Sequence, residues 1–204
     1  MRNLGAIVLA VAVAVTGQSS SSRQDTKQPH TEPTTSTPNV LPTKGQIEKG
    51  TYKNPSIGLE FTPADNLHLQ EPEMRGTPGT TPLIITVEAR SEGGLVSSLI
   101  SIRSLTTFYA DALAYYPEEQ RNATSYLKKI IRANESVEFQ HVDGKTSEQI
   151  SGIQFLRADF VKEDVHEAVL VVTRHAYAFV FIFAGSDVEA TNKLIAATDV
   201  KFTQ

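Results

Sequence analysis

Hydrophobic residues fall along this chain in three regimes. From Leu4 to Val15 (LGAIVLAVAVAV) they are unbroken, across Gln18–Lys49 they nearly vanish, and from Gly50 onward they recur with the short periods of packed secondary structure. The third regime predicts the folded unit, residues 50–204. Thr51–Lys53 and Gly58–Phe61 read as short strands joined by a turn at Asn54-Pro55, and Pro63 stops the second. Leu83–Ala89 and Val96–Ile102 read as longer strands. The Pro/Gly-rich segment Glu71–Pro82 precedes them as a loop, and Glu92-Gly93-Gly94 lies between them as a hairpin turn.

The middle of the unit carries a different period. Leu105, Phe108, Tyr109, Ala112, Leu113 and Tyr116 step by three and one, as one face of an α-helix does, and Pro117 ends it. A second helix is expected to start near Glu118, with Ala123, Tyr126, Leu127, Ile130 and Ile131 as its apolar stripe. Glu118 and Glu119 then fall in its first turn and Lys128, Lys129 and Arg132 in its last turns, each set complementing the helix dipole.

The last third reads as strands and one helix. Val137–Val142 and Lys145–Ile150 flank Asp143-Gly144, a type I′ hairpin signal, and Gly152–Val161 follows as a strand. Ala168–Thr173 and Ala178–Ala184 flank a turn near Arg174–Tyr177 and are apolar at odd and even positions alike. A sheet with one wet face would alternate, so both faces of these strands must be covered. The run is too short to cross a bilayer. Ser186-Asp187-Val188-Glu189 forms a capping box with Ser186 at the N-cap. Val188, Thr191, Leu194, Ile195 and Thr198 then line the inner face of a closing helix, and Val200–Phe202 adds an edge strand. The fold expected from this order is α+β, an antiparallel sheet with helices on both faces.

The first two regimes predict how the chain is handled. Arg2, the twelve-residue apolar run and the small residues Ala14, Thr16 and Gly17 read as a signal peptide, residues 1–17. Cleavage is expected after Gly17, with Ala14 as the alternative site; an uncleaved sequence would be the protein's one contact with a membrane. Residues 18–49 are rich in Ser, Thr, Pro and Gln and carry only Val40, Leu41 and Ile47 as large apolar side chains. Such a segment buries too little to offset about 1–2 kcal/mol of backbone entropy per residue, and reads as a disordered linker. The protein is therefore expected to be exported, to the periplasm or outside the cell.

Composition removes several chemistries. The 204 residues include no cysteine, which excludes disulfides, thiolate metal sites, a cysteine nucleophile and a lipoprotein-type anchor. The net charge is −4, and residues 50–204 alone carry 14 Lys and Arg against 20 Asp and Glu. No basic footprint suits nucleic acid, and an acidic domain is repelled by anionic lipid.

Reactive constellations are sparse. His30, His68, His141, His166 and His175 include no i, i+4 pair and no HExxH. His166, His175 and His141 fall on neighbouring expected strands and are the candidates for a metal site. Asp159, Glu163 and Asp164 read as a solvated turn, with a weak Ca²⁺ site as the sharper alternative. No GxSxG occurs, Gly185-Ser186-Asp187 serves the helix cap, and Gly93-Gly94 lacks the rest of a phosphate loop. Tyr109, Tyr115, Tyr116 and Tyr126 cluster near the expected helices as core and rim. Lys128, Lys129 and Arg132 are assigned to helix-end electrostatics, with anion binding as the alternative. No catalytic, cofactor-binding or metal residue is therefore named.

Gly50-Thr51-Tyr52-Lys53-Asn54 followed by Gly58-Leu59-Glu60-Phe61-Thr62-Pro63 resembles the opening of PsbP-like domains, and Gly152-Ile153-Gln154-Phe155, the apolar hairpin, the closing helix and Lys201-Phe202 extend the likeness. Ala64-Asp65-Asn66-Leu67 stands where a Gly-Trp commonly follows in that family. The resemblance implies a PsbP-like α/β/α sandwich, an exported bacterial protein, no shared catalytic residues, and unmodified glycosylation motifs at Asn122-Ala123-Thr124 and Asn134-Glu135-Ser136. The expected function is a non-enzymatic interaction module at the cell envelope, docking on another protein without a cofactor. The alternative is a binding protein for a small apolar ligand held between a helix layer and the sheet.

Overall fold

The structure, a computed structural model, describes residues 42–76, 84–91 and 104–203. The expected signal peptide, the linker up to residue 41, the strand Val96–Ile102, the turn at Glu92-Gly93-Gly94 and His30 lie outside the described residues. The compact unit that holds all described residues runs from Leu41 to Gln204.

In chain order the strands are β1 (Gln46–Glu48), β2 (Thr51–Asn54), β3 (Leu59–Thr62), β4 (Leu67–Leu69), β5 (Glu73–Arg75), β6 (Ile84–Ser91) and β7 (Ser104–Ala112). After them come helix α1 (Ala123–Ser136), β8 (Gln140–Val142), β9 (Ser147–Ile150), β10 (Ile153–Lys162), β11 (Val165–Arg174), β12 (Tyr177–Gly185), helix α2 (Val188–Ala196) and β13 (Asp199–Phe202). A small sheet has the order β1-β2-β3-β13, and a large one the order β4-β6-β7-β12-β11-β10-β8, with β5 beside β6 and β9 beside β10. The pairings are antiparallel throughout.

This architecture corrects the expected one. The chain is mostly β, with two helices among the described residues, and the large sheet is not sandwiched between two helical layers. Its central strands are buried on both faces, as their continuous apolarity requires: Ala168–Val171 and Ala178–Phe183 are each no more than 3% exposed. On one face, however, the cover is the small sheet, with α2 beside it. Tyr52, Leu59, Phe61 and Val200 of that sheet join Phe108, Phe155, Leu170, Phe179, Phe181 and Phe183 of the large sheet in a single core. The rings interlock: Phe181 lies 4.9 Å from Phe108, 5.4 Å from Phe61 and 5.7 Å from Phe155, centroid to centroid. Burial of each such ring contributes roughly 1.5–3 kcal/mol. On the other face, α1 packs against β10 and β11 through Tyr126, Leu127 and Ile130.

Local differences have local causes. The expected helix over 105–116 is β7, which pairs residue for residue with β12 from Ser104↔Gly185 to Ala112↔Tyr177. A central strand covered on both faces is apolar at odd and even positions, and that pattern also satisfies a helix period. Glu118 and Glu119 occupy a short 3₁₀ turn before α1, whose N-cap is Asn122, accepting from the Ser125 N–H. Val137–Val142 and Lys145–Ile150 form no hairpin: β8 and β9 both pair with β10 instead of each other. The linker assignment ends too late, since β1 lies within residues 18–49 and pairs with β2. The N-cap of α2 is Asp187 rather than Ser186, and Val188 is 53% exposed rather than inward. The β11–β12 turn is the tight one expected, made by His175 and Ala176 with φ of 49° and 64°.

Candidate functional site

Two polar clusters are buried in the large sheet, one on each face, and they meet at neighbouring residues of β11. His166 faces the α2 side and Glu167 the α1 side, because successive side chains of a strand point opposite ways.

On the α2 side, Arg157 and Asp159 are two apart on β10 and share a face. Arg157 donates Nε to Asp159 Oδ2 at 2.9 Å and Nη2 to Oδ1 at 2.7 Å, and Nη1 to Glu148 Oε2 at 2.6 Å. His166 Nε2 stands 3.4 Å from Asp159 Oδ1, and its Nδ1 is 3.2 Å from Thr191 Oγ1 on α2. The order Thr–His–Asp matches the composition of a nucleophilic triad, but not its use. The Thr191 hydroxyl has one proton and two carbonyl acceptors in reach, that of His166 at 3.0 Å and that of Asp187 at 2.9 Å, while His166 Nδ1 accepts from it or donates to it according to the imidazole tautomer. Thr191 is also 0% exposed, so no substrate carbonyl reaches it. Gly185 explains the closeness of α2: a Cβ there would meet Thr191 N and Oγ1 at 2.9 Å. Burial is the main influence holding the His166 imidazole below its ordinary range, against the opposing pull of Asp159. This cluster fastens α2 to the sheet.

Beneath α1, Asp111 is fully buried and accepts from Tyr116 and Tyr126 hydroxyls at Oδ2, at 2.5 and 2.6 Å. Lys129 Nζ donates to the Tyr116 hydroxyl at 2.7 Å and lies 4.3 Å from its ring centre. Asp111 Oδ1 has no hydrogen-bond partner among the described residues. Burial pushes the Tyr109, Tyr116 and Tyr126 phenols up, so all three stay protonated donors, and it pushes Lys129 down. Two turns along α1, Asn134 Nδ2 donates to Glu167 Oε1 at 2.9 Å, while Oε2 has no partner. Burial raises the Glu167 carboxyl to about 7 despite the Asn134 hydrogen bond.

The residues singled out from the sequence are mostly separated. His141 lies 5.4 Å from Phe160 with the rings tilted, and Phe160 pairs across from Glu167 on the α1 side, while His166 faces α2 and His175 sits in the β11–β12 turn near Gly58. The three do not converge, and no group of three metal-ligating residues forms among the described residues. Asp159 is buried on Arg157, away from the turn that Glu163 begins, so the suggested Ca²⁺ cluster does not assemble. Tyr109, Tyr116 and Tyr126 do come together; the Tyr115 side chain lies outside what is described. Asn134 is buried on Glu167 and is no glycosylation acceptor in the folded chain. Sequence reasoning missed Arg157, Asp111 and Glu167. The spacing Arg157-x-Asp159 on a strand was the available signal for the first.

A shallow open groove of about 400 Å³ lies between the turn Ala64-Asp65-Asn66 and the Ala190, Lys193, Leu194 and Ala197 side of α2. It is on the surface, not between a helix and the sheet where a ligand was expected. Compared with known proteins, the chain matches no family model, no curated protein and no solved structure.

Proposed function

We propose that this domain is a non-enzymatic interaction module that recognises another protein through its surface, and that it is exported to do so at the cell envelope. The observation carrying this reading is the interlocked ring packing around Phe181, which fills the space between the two sheets. The buried polar clusters support it. The Thr191 hydroxyl is consumed by structural hydrogen bonds, and the tyrosine hydroxyls are held in their protonated form, so neither cluster presents an activated nucleophile. The PsbP-like resemblance of Gly50–Asn54 and Gly58–Pro63, on and beside β2 and β3, motivates the bacterial envelope as the setting, although the α/β/α sandwich it implied is not the fold of this chain. The test is chemical cross-linking in cells that express the full chain, followed by purification from the envelope fraction. A partner recovered in every replicate is the expected result; none in any replicate contradicts the reading.

A further inference from the structure

The basic residues of α1 have no helix-end explanation. The helix continues to Ser136, with no basic residue in its last turn and no acid in its first. Lys128, Lys129 and Arg132 therefore lie in its interior, where the dipole does not favour them. Arg132 is four residues from Lys128 and three from Lys129, so like charges sit at adjacent positions of the helix surface, which weakens a helix.

Elsewhere the domain neutralises its cations. Nine other described lysines and arginines lie within ion-pair distance of a carboxylate. Lys49 and Arg174 are the isolated exceptions. The remaining cations without a carboxylate partner gather at α1: Arg121, which donates to the carbonyls of Tyr116 and Ala114, Lys129, which donates to Tyr116, and Lys128 and Arg132. Arg121, Lys128 and Arg132 are exposed; Lys128 and Arg132 lie one turn apart on α1, and Arg121 precedes its N-cap Asn122. Lys128 and Arg132 stand about 6 Å apart along the helix axis at 1.5 Å per residue, the reach of roughly two residues of extended chain. Lys128 and Arg132 form no ion pair among the described residues, the exposed Glu135 continues the same face one turn beyond Arg132, and the domain as a whole has six more acids than bases.

We infer that this outer face of α1 is the docking surface of the module, and that its occupant is an acidic segment of a protein partner. The inference rests on the interaction-module reading above and adds the partner's chemistry. Charge complementarity selects an anion. A lipid surface is disfavoured because it would confront the acidic remainder of the domain; of the exposed large apolar side chains, Met74 and Val188 lie on β5 and α2, and Val137 stands alone at the C-cap of α1.

The test titrates the isotope-labelled full chain with a hexaglutamate peptide. Binding is expected to shift the amides of residues 121–133, to weaken as salt rises from ~0.01 to ~0.15 M, and to fall about tenfold with Lys128→Glu and Arg132→Glu together. Lys128→Gln with Arg132→Gln should give a smaller loss and controls for folding. Shifts mapping elsewhere, indifference to these substitutions, or binding to phosphatidylglycerol vesicles but not to the peptide overturns the inference. A photo-cross-linker at Thr124 on this face and another at Lys201 on β13 separate it from the reading beneath it. An adduct from Thr124 supports the α1 surface. An adduct from Lys201 alone overturns that surface and leaves docking standing, and adducts from neither remove both.

Discussion

His166 and Glu167 are neighbours in the chain and live in opposite electrostatic worlds. On the α2 side, a buried guanidinium is matched by two carboxylates and the imidazole is neutral. On the α1 side, two buried carboxyl groups make no direct ion pair among the described residues, Lys129 reaching Asp111 only through the Tyr116 hydroxyl, and each leaves one oxygen without a partner there. The first face is also walled by interlocked aromatic rings, the second by one helix. One side of the sheet is thus built to be permanent, while the other holds together on terms that depend on protonation.

The pH dependence has opposite signs on the two faces. Glu167 keeps its proton in the fold up to about pH 7, against an ordinary value of 4.5. Its contribution is fully present below 4.5 and is lost as pH rises through 7. His166 is held below its ordinary 6.5, so its contribution is present above 6.5 and is lost as pH falls below that value.

Four substitutions break or sharpen this contrast. The largest effect is expected from Arg157→Leu, which strands Asp159 and Glu148 and should cost about 3–5 kcal/mol in urea unfolding. Glu167→Gln should act in the other direction, stabilising by about 3 kcal/mol at pH 8 and by almost nothing at pH 4; a melt series across that range reads the sign. Tyr126→Phe removes one of two donors to Asp111 and should cost about 2 kcal/mol, with the loss visible as faster amide exchange in α1. Asn122→Ala, which uncaps α1, is the smallest at about 1 kcal/mol by thermal melt.

The sequence was informative where one physical demand dominates. Ala168–Ala184 announced a strand pair buried on both sides, and Tyr126, Leu127 and Ile130 announced α1, because a helix with one inward face has a single solution. Leu105–Tyr116 misled because burial on both faces erases the alternation that marks a strand. With β7 read as a helix, Tyr109 and Asp111 could not be placed on one face, so Asp111 was missing from the tyrosine cluster that the sequence suggested. Asp143-Gly144 misled because turn chemistry is local, whereas β8 and β9 each gain more ladder by pairing with the long β10. The second sheet as a cover was hidden for a similar reason: β1, β2 and β3 are short, β13 is distant from them in sequence, and nothing local declares what they lie on.

The account turns on a domain whose interior is closed and whose recognition is external. Native mass spectrometry of the protein taken from its own cells tests this most directly. The predicted result is the mass of the polypeptide with nothing retained. A bound small molecule that survives gentle ionisation and leaves on denaturation would contradict it.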